Sequence, residues 1–450
     1  MPNRDRRILS ALSAARLPRS IGLPGAILLS FNGVLGGAIF ALPATLAADF
    51  GTFSPWLFPL VAFASLLIII PFARSAGAFP QSGGPAAYGA VFGRFVGFEL
   101  GWIYYVARVT AFAANANVLT AYVARWWMGA EQGVGRAALL LALCAILAAI
   151  NIAGLRRALA VLGGLTLLKT LPLIAAALAV LALTAPWPAP GPLPELSMLE
   201  AGVLLVFYAF VGFENVVVPA GETKRPASVL PRAIFVTIAL TTLLYFLVQL
   251  AFVSALPGGA SDEKAPLIDL GGWLLGPAGA MILTLAAIAS LSGNLHGIMT
   301  STSRVTFALG ERGDLPAWFA RVHPRFVTPA NSITFLAVFA AGLALVGTYV
   351  WLAVISVLAR LIVYAVTIAA LPRAPERGAV PKWLYAMGAA GIALCLWASA
   401  QVGWDGWRTL ALLALAGAGL YAIAARGNRS SSDADKVSAI QPPPSSREPS

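Results

Sequence analysis

Residues Gly33-Val34-Leu35-Gly36-Gly37-Ala38-Ile39-Phe40 lie near the middle of a long apolar segment, and their reading decides the fold. A helix crossing lipid must satisfy its backbone polar groups internally. Glycines clustered at mid-depth work against a continuous helix. A second apolar segment has the same property: Phe210-Val211-Gly212-Phe213-Glu214-Asn215 places a glycine and a carboxylate near mid-span. Such breaks persist in a membrane where the freed backbone groups face a ligand or a watered cavity. Two of them, in the first and sixth apolar segments, point to a substrate site at the bilayer midplane.

The composition supports the membrane setting. The chain of 450 residues is 59% hydrophobic and 11% charged. Apolar runs of about 20 residues, the length that spans a bilayer, recur along most of it. Spans are predicted at 24–48, 55–73, 88–126, 137–154, 159–184, 199–221, 232–256, 273–310, 331–348, 349–371, 383–403 and 407–425. The third and eighth exceed what a bilayer needs, which calls for tilt or a helical extension into water. Turn-rich stretches such as Pro80-Gln81-Ser82-Gly83-Gly84-Pro85 separate the spans. The expectation is an all-α membrane protein of about twelve transmembrane helices. The basic start is followed by an apolar run with no clear cleavage site, so the first span reads as retained. Residues 426–450 are polar and rich in Ser and Pro, and read as a disordered tail. Cys144 and Cys395 fall inside apolar runs and read as packing residues.

A net charge of +12 raises the possibility of nucleic-acid binding, but the basic residues do not form one patch. With the first residue in the cytoplasm, most of the 30 lysines and arginines fall on the cytoplasmic side. Arg125, Arg136, Lys264 and Arg408 fall outside, and Arg108, Lys169 and Arg360 fall within spans. This bias predicts a multi-pass protein of the plasma or inner membrane with both termini cytoplasmic and no nucleic-acid partner. The first break then sits in a span running outward and the second in a span running inward. That predicts a 5+5 inverted repeat: a tail at 1–20, a first repeat at 21–185, a second at 195–371, and two appended spans at 383–425 before the tail.

At the first break, the N–H groups around Gly36, Gly37 and Ala38 lose helical partners and cap the outer half-helix, a terminus suited to a carboxylate. Carbonyls near Gly33 and Val34 are placed to accept from an ammonium. Close helix packing is the competing explanation for these glycines. Glu214 weighs against it, because an ionised carboxylate at mid-span is costly and marks function. It could bind a substrate ammonium, carry a proton, or pair with Arg108. The expected substrate-binding set is Gly33, Val34, Gly36, Gly37, Ala38, Phe210, Val211, Gly212 and Glu214. One aromatic residue among Phe207, Tyr208 and Phe210 could gate it. Lys169 lies well inside the fifth span, where an ammonium is costly to hold and can exchange a proton during a cycle. Arg108 could grip an acidic substrate or neutralise Glu214, and the pairing role is favoured. A neutral substrate fits best if the two satisfy each other. Arg360, one turn before Tyr364, reads as structural, and His296 as a packed polar residue.

Other classes are poorly supported. The sequence holds no Gly-xxxx-Gly-Lys-Ser/Thr loop for ATP, no His-Glu-xx-His or paired-Cys metal motif and no clustered nucleophile with an acid–base partner. No metal, cofactor or enzymatic activity is expected. Nor do the spans show the rings of repeated polar residues of a symmetric channel.

The stretch Gly33-xx-Gly36-Gly37-Ala38-Ile39-Phe40-xx-Pro43 resembles the first-span signature of the amino acid–polyamine–organocation superfamily. Phe210-Val211-Gly212-Phe213-Glu214, Gly221-Glu222-Thr223-Lys224-Arg225-Pro226 and Pro231-Arg232-Ala233-Ile234 are similar to its sixth span and following loop. Ser303-Arg304-Val305, Gly313-Asp314-Leu315-Pro316 and His323-Pro324-Arg325 resemble the stretch after its eighth span. The likeness runs from about Ser20 through the tenth span. It implies the leucine-transporter fold and a secondary transporter of an amino acid or related amine, acting as monomer or homodimer. In proton-coupled relatives a fifth-span lysine stands where sodium-coupled ones bind sodium; Lys169 matches that position, which implies proton coupling, with Glu214 as a second protonation site. A same-fold exchanger or exporter is the alternative. One departure concerns the third small residue of the first motif, usually Gly and here Ala38, whose methyl narrows the approach to a substrate carboxylate.

Overall fold

A computed structural model describes residues 19–79, 84–124, 126–195, 198, 202, 206, 207, 209–257, 259, 265–374 and 380–440. Residues 1–18, Tyr208 and residues 441–450 lie outside the described residues. The first apolar segment is two helices, α1 (Leu23–Val34) and α2 (Ala38–Phe50), with Leu35, Gly36 and Gly37 between them outside any helix. The chain continues through α3 (Ser54–Ala78), the short α4 (Pro85–Gly89), α5 (Arg94–Ala124), α6 (Gly133–Ile152) and α7 (Leu155–Leu183). After the interrupted sixth segment come α8 (Pro226–Ala255), α9 (Pro266–Glu311), α10 (Ala330–Val346), α11 (Tyr349–Ala370), α12 (Lys382–Ala400) and α13 (Trp404–Ile440). Among the described residues, eight helices are long and apolar enough to cross a membrane, and α1 and α10 are shorter apolar helices. No strand occurs among the described residues; an isolated bridge joins Ile21 and Thr223.

Three elements differ from the sequence expectation. The sixth segment does not resume as an α-helix after its break. Gly212 turns at φ +120°, and the chain continues as 3₁₀ turns, Phe213–Val217 and Ala220–Glu222. Pro219 between them has no N–H to give to a helical ladder. The long eighth span is two helical pieces within α9, bent at Leu275 and Gly276 (φ +58°), just before Pro277. Such a kink has the Gly and Pro causes expected for it. Finally, α13 runs past residue 426 to Ile440, where the sequence was read as disordered. No proline stands between residues 428 and 440, and the Pro442-Pro443-Pro444 run begins just beyond.

The two breaks lie against one another. A Cβ on Gly33 would overlap the carbonyl oxygen of Gly212 and the side chain of Asn215, and a Cβ on Gly212 would overlap the carbonyl of Gly33. Backbone therefore meets backbone where the two interrupted segments cross, which requires glycine on both sides. Around this crossing α5 is central and packs on α9 and α11. Its Tyr104, Tyr105, Arg108 and Phe112 are fully enclosed, and Tyr105 stacks on Trp102 with ring centroids 5.5 Å apart.

At the end where α1 begins, three of the sequence motifs converge. The Ile21 N–H donates to Glu222 O at 2.9 Å, and the Lys224 N–H donates to Ile21 O at 2.8 Å. Arg304 near the end of α9 forms a buried ion pair with Glu222. Asp314, fully buried, accepts from Arg94 at 2.7 Å and lies 3.1 Å from Arg312.

The crossing makes a direct prediction. Gly33→Ala and Gly212→Ala should each lower stability by about 2 kcal/mol or more, read as a fall in melting temperature in detergent micelles. Gly164→Ala on α7, where a Cβ meets nothing within 4 Å, should leave it unchanged or raise it slightly. Equal tolerance at all three positions would contradict the close crossing.

Candidate functional site

The first break leaves carbonyl groups without helical partners, and side chains from three helices take them up. Asn294 of α9 donates to Asn32 O at 2.7 Å and to Gly33 O at 3.0 Å. The Tyr245 hydroxyl of α8 lies 3.4 Å from Val34 O and 3.3 Å from Ala209 O in the sixth segment, sharing its one proton between them. Lys169 of α7 donates to Leu35 O at 2.7 Å. Ser290 of α9 donates to Leu35 O at 3.4 Å and Gly36 O at 3.0 Å. Five consecutive carbonyls, residues 32 to 36, are thus engaged. Asn294 is itself oriented by Asn115 of α5, which donates to its Oδ1 at 2.9 Å.

The N–H side of the break is different. Among the described residues no side chain caps α2, whose first residue is Ala38 and whose preceding residue is Gly37. A helix start without a cap presents unsatisfied N–H groups and a partial positive charge.

Glu214 is fully buried and lies at the meeting of four donors. Its Oε1 accepts from Arg360 Nε at 3.0 Å and Arg108 Nη1 at 3.2 Å. Its Oε2 accepts from the Tyr364 hydroxyl at 2.7 Å and the Gly212 N–H at 2.9 Å. The pairing with Arg108 raised from sequence is present. Arg360 and Tyr364, read as a structural pair, both close on the same carboxylate, because their spacing of one turn puts them on one face of α11. Arg360 also donates to Ser356, and Ser356 bonds Ala107 O on α5 at 2.7 Å. Two nitrogens of Arg108, Nε and Nη2, have no hydrogen-bond partner among the described residues although the side chain is 1% exposed.

A cavity with about 440 Å³ of empty space opens at the breaks. Gly33, Val34, Gly36, Gly37 and Ala38 line it from the first break and Val211 from the second. Arg108, Ala111 and Asn115 line it from α5, Asn294 and Ile298 from α9, and Tyr349 and Arg360 from α11. Glu214, Gly212 and Lys169 stand behind this wall rather than in it. Phe210 and Phe207 line a separate small apolar gap with Ser65, Ile68 and Ile69. His296 is enclosed between Asn151 Nδ2 at 3.1 Å and Ala158 O at 2.8 Å, away from the cavity. No cluster of metal-ligating side chains occurs among the described residues.

Sequence reading missed Asn115, Tyr245, Ser290 and Asn294. The available signal was helical spacing. Ser290 and Asn294 are one turn apart in a long, mostly apolar span and so share a face.

Apolar helices in this number, two of them interrupted around a polar cavity, define a multi-pass membrane protein of the transporter class. A family model described as amino acid permease matches residues 21–403, and the chain belongs to that family. It is 30% identical to an uncharacterized transporter of Mycobacterium tuberculosis over 73% of this chain and 74% of that protein. It is 27% identical to the serine/threonine exchanger SteT of Bacillus subtilis, over 71% of this chain and 75% of that one. It is also 27% identical to the D-serine/D-alanine/glycine transporter of Escherichia coli, over 54% of each chain. Two of these relatives are named as carriers of amino acids, and together with the family they support amino acid transport as the activity.

The polar scaffold of the first break is testable. Asn294→Ala removes the donor to Asn32 O and Gly33 O and strands the amide of Asn115. It should cost about 1–3 kcal/mol, measured as a lowered melting temperature, and should reduce transport. A variant as stable as the parent would mean that these carbonyls find other partners.

Proposed function

We propose that the protein is a secondary active transporter that carries an amino acid across the cell membrane, with its substrate held at the two helix breaks. The observation that carries this reading is the cavity itself, lined by residues of both breaks and by the uncapped start of α2. The substrate carboxylate would bind the N–H groups at Gly37 and Ala38. The ammonium would be taken by backbone of the second break at Phe210 and Val211, because the carbonyls at Gly33 and Val34 already accept from Asn294 and Tyr245. Gly33 and Gly212 would serve by letting the two breaks meet. Glu214 would organise the arginines rather than touch the substrate.

The chain would cross the membrane twelve times with both termini cytoplasmic, as a 5+5 inverted repeat with two appended spans, and access would alternate by rocking of the interrupted helices. Lys169 would couple transport to protons. Its ammonium is fully buried and bonds the Leu35 carbonyl within the first break, so loss of the proton would remove a donor from the segment that must rearrange. The likeness to a serine/threonine exchanger supports a second reading, exchange of one amino acid for another without net proton movement.

Proteoliposomes loaded with and without a pH gradient separate these readings. Gradient-driven uptake of at least one labelled amino acid is expected, and Lys169→Ala should abolish it while counterflow exchange continues. Uptake that ignores the gradient, in parent and variant alike, would favour the exchanger. No uptake or exchange of any amino acid or amine would remove the transporter reading.

A further inference from the structure

The charges around the cavity do not balance. Arg108 and Arg360 both line it, and among the described residues no aspartate or glutamate does. The carboxylate that holds them, Glu214, is shared between the two, so the buried group carries one surplus positive charge. Other buried carboxylates do not offset it: Glu99 on α5 lies nine residues before Arg108, about 13 Å along the helix axis. Glu222 is taken by Arg304, and Asp314 by Arg94 and Arg312. Lys169, behind the wall, bonds only a carbonyl among its hydrogen-bond partners and would add charge of the same sign.

A second observation points the same way. Arg108 is 1% exposed, yet its Nε and Nη2 have no acceptor among the described residues. Buried guanidinium donors left unpaired are costly, so such groups are found with an acceptor. The planar fork of arginine fits a carboxylate.

The same cavity holds a separate feature suited to an anion, the uncapped N-terminus of α2 at Gly37 and Ala38. Meanwhile the five carbonyls of the first break, which would otherwise favour a cation, are engaged by Asn294, Tyr245, Lys169 and Ser290. One cavity thus has two places for an anion and no carboxylate for a cation.

From this, and resting on the transporter reading, we infer that the substrate is an amino acid with an anionic side chain, whose α-carboxylate meets the start of α2 and whose second acidic group meets Arg108 and Arg360. Such a substrate carries one net negative charge, which cancels the surplus. A zwitterion leaves the surplus in place, and a cationic amino acid or polyamine adds to it. The inference departs from the neutral amino acids named for the serine/threonine exchanger and the D-serine/D-alanine/glycine transporter.

The test compares isosteres that differ in charge. The full-length protein in lipid nanodiscs is titrated with L-glutamate against L-glutamine and L-aspartate against L-asparagine, with L-alanine, L-serine, L-lysine and putrescine as further ligands. The readouts are thermal shift and competition for a labelled ligand. At least one acidic amino acid should bind about tenfold or more tightly than its amide. Arg108→Gln leaves Arg360 and Glu214 as a neutral pair and should reduce that preference about tenfold, whereas Arg108→Lys keeps the charge and should retain most of it. Amides or small neutral amino acids binding as tightly as the acids would overturn the inference while leaving an amino acid transporter in place. Binding of lysine or putrescine in preference would also overturn it. Absence of binding by any of these ligands would instead strike at the transporter reading on which it rests. Should Arg108→Gln fail to fold, the isostere comparison on the parent protein still decides.

Discussion

The structure depends on finding partners for backbone polar groups freed inside an apolar core. Breaking α1 from α2 exposes a run of carbonyls at a depth where each unsatisfied group costs several kcal/mol. The chain meets this with side chains from α7, α8 and α9, each reaching the same short stretch. Tyr245 reaches both breaks, to Val34 O and to Ala209 O, and Ser30 of α1 donates to Phe213 O at 3.0 Å. The first break is therefore a built feature held open by named donors, and its asymmetry is chemical. The carbonyl side is occupied and the N–H side is left uncapped.

How much of this was legible in the sequence follows from what kind of signal each feature leaves. The breaks were visible because glycine clusters and an isolated carboxylate are rare in apolar segments. The pairing of Glu214 with Arg108 was visible for the same reason: two buried charges of opposite sign need each other. Arg360 was seen but assigned to Tyr364 alone, since spacing along one helix reveals a shared face and not what that face meets. The short 3₁₀ turns after Gly212 were missed because the segment stays apolar through Val216, Val217 and Val218 and so reads as continuing helix. Asn115, Asn294 and Ser290 left the faintest trace. Each is a small polar residue in a long span, and only the packing of α9 and α5 on the first break gives them their roles.

The carboxylate of Glu214 also has a mechanical consequence. It ties α5 through Arg108, α11 through Arg360 and Tyr364, and its own segment through the Gly212 N–H. Removing such a carboxylate leaves two buried guanidiniums facing each other, a larger penalty than the pair itself is worth. The cluster is therefore better understood as a fixed point that places two arginines at the cavity wall than as a source of stability. Ser356, bonded to Arg360 and to Ala107 O, holds α11 against α5 one turn away and reinforces that point.

Set beside the crossing of the breaks, this arrangement constrains how access can alternate. Gly33 and Gly212 meet backbone to backbone, so the two interrupted segments cannot slide independently without opening a gap between them. The bonds that hold the first break to its surroundings are of another kind. They are single side-chain donors on long helices, and each can be exchanged for water or for a substrate group as a cavity opens. On the transporter reading, the pathway of least resistance would be a joint movement of the paired breaks against α7 and α9. Such a movement would have to release or retain Leu35 O at Lys169 and Ser290, and would have to open the closure formed by Ile21, Glu222 and Arg304 at the start of α1. Lys169 stands out among the donors to the first break because it alone carries a charge that loss of a proton removes, and it bonds the backbone of the break rather than lining the cavity. On the transporter reading, coupling would then run through the cost of leaving one carbonyl without a partner, and not through a direct contact between the coupling ion and the cargo.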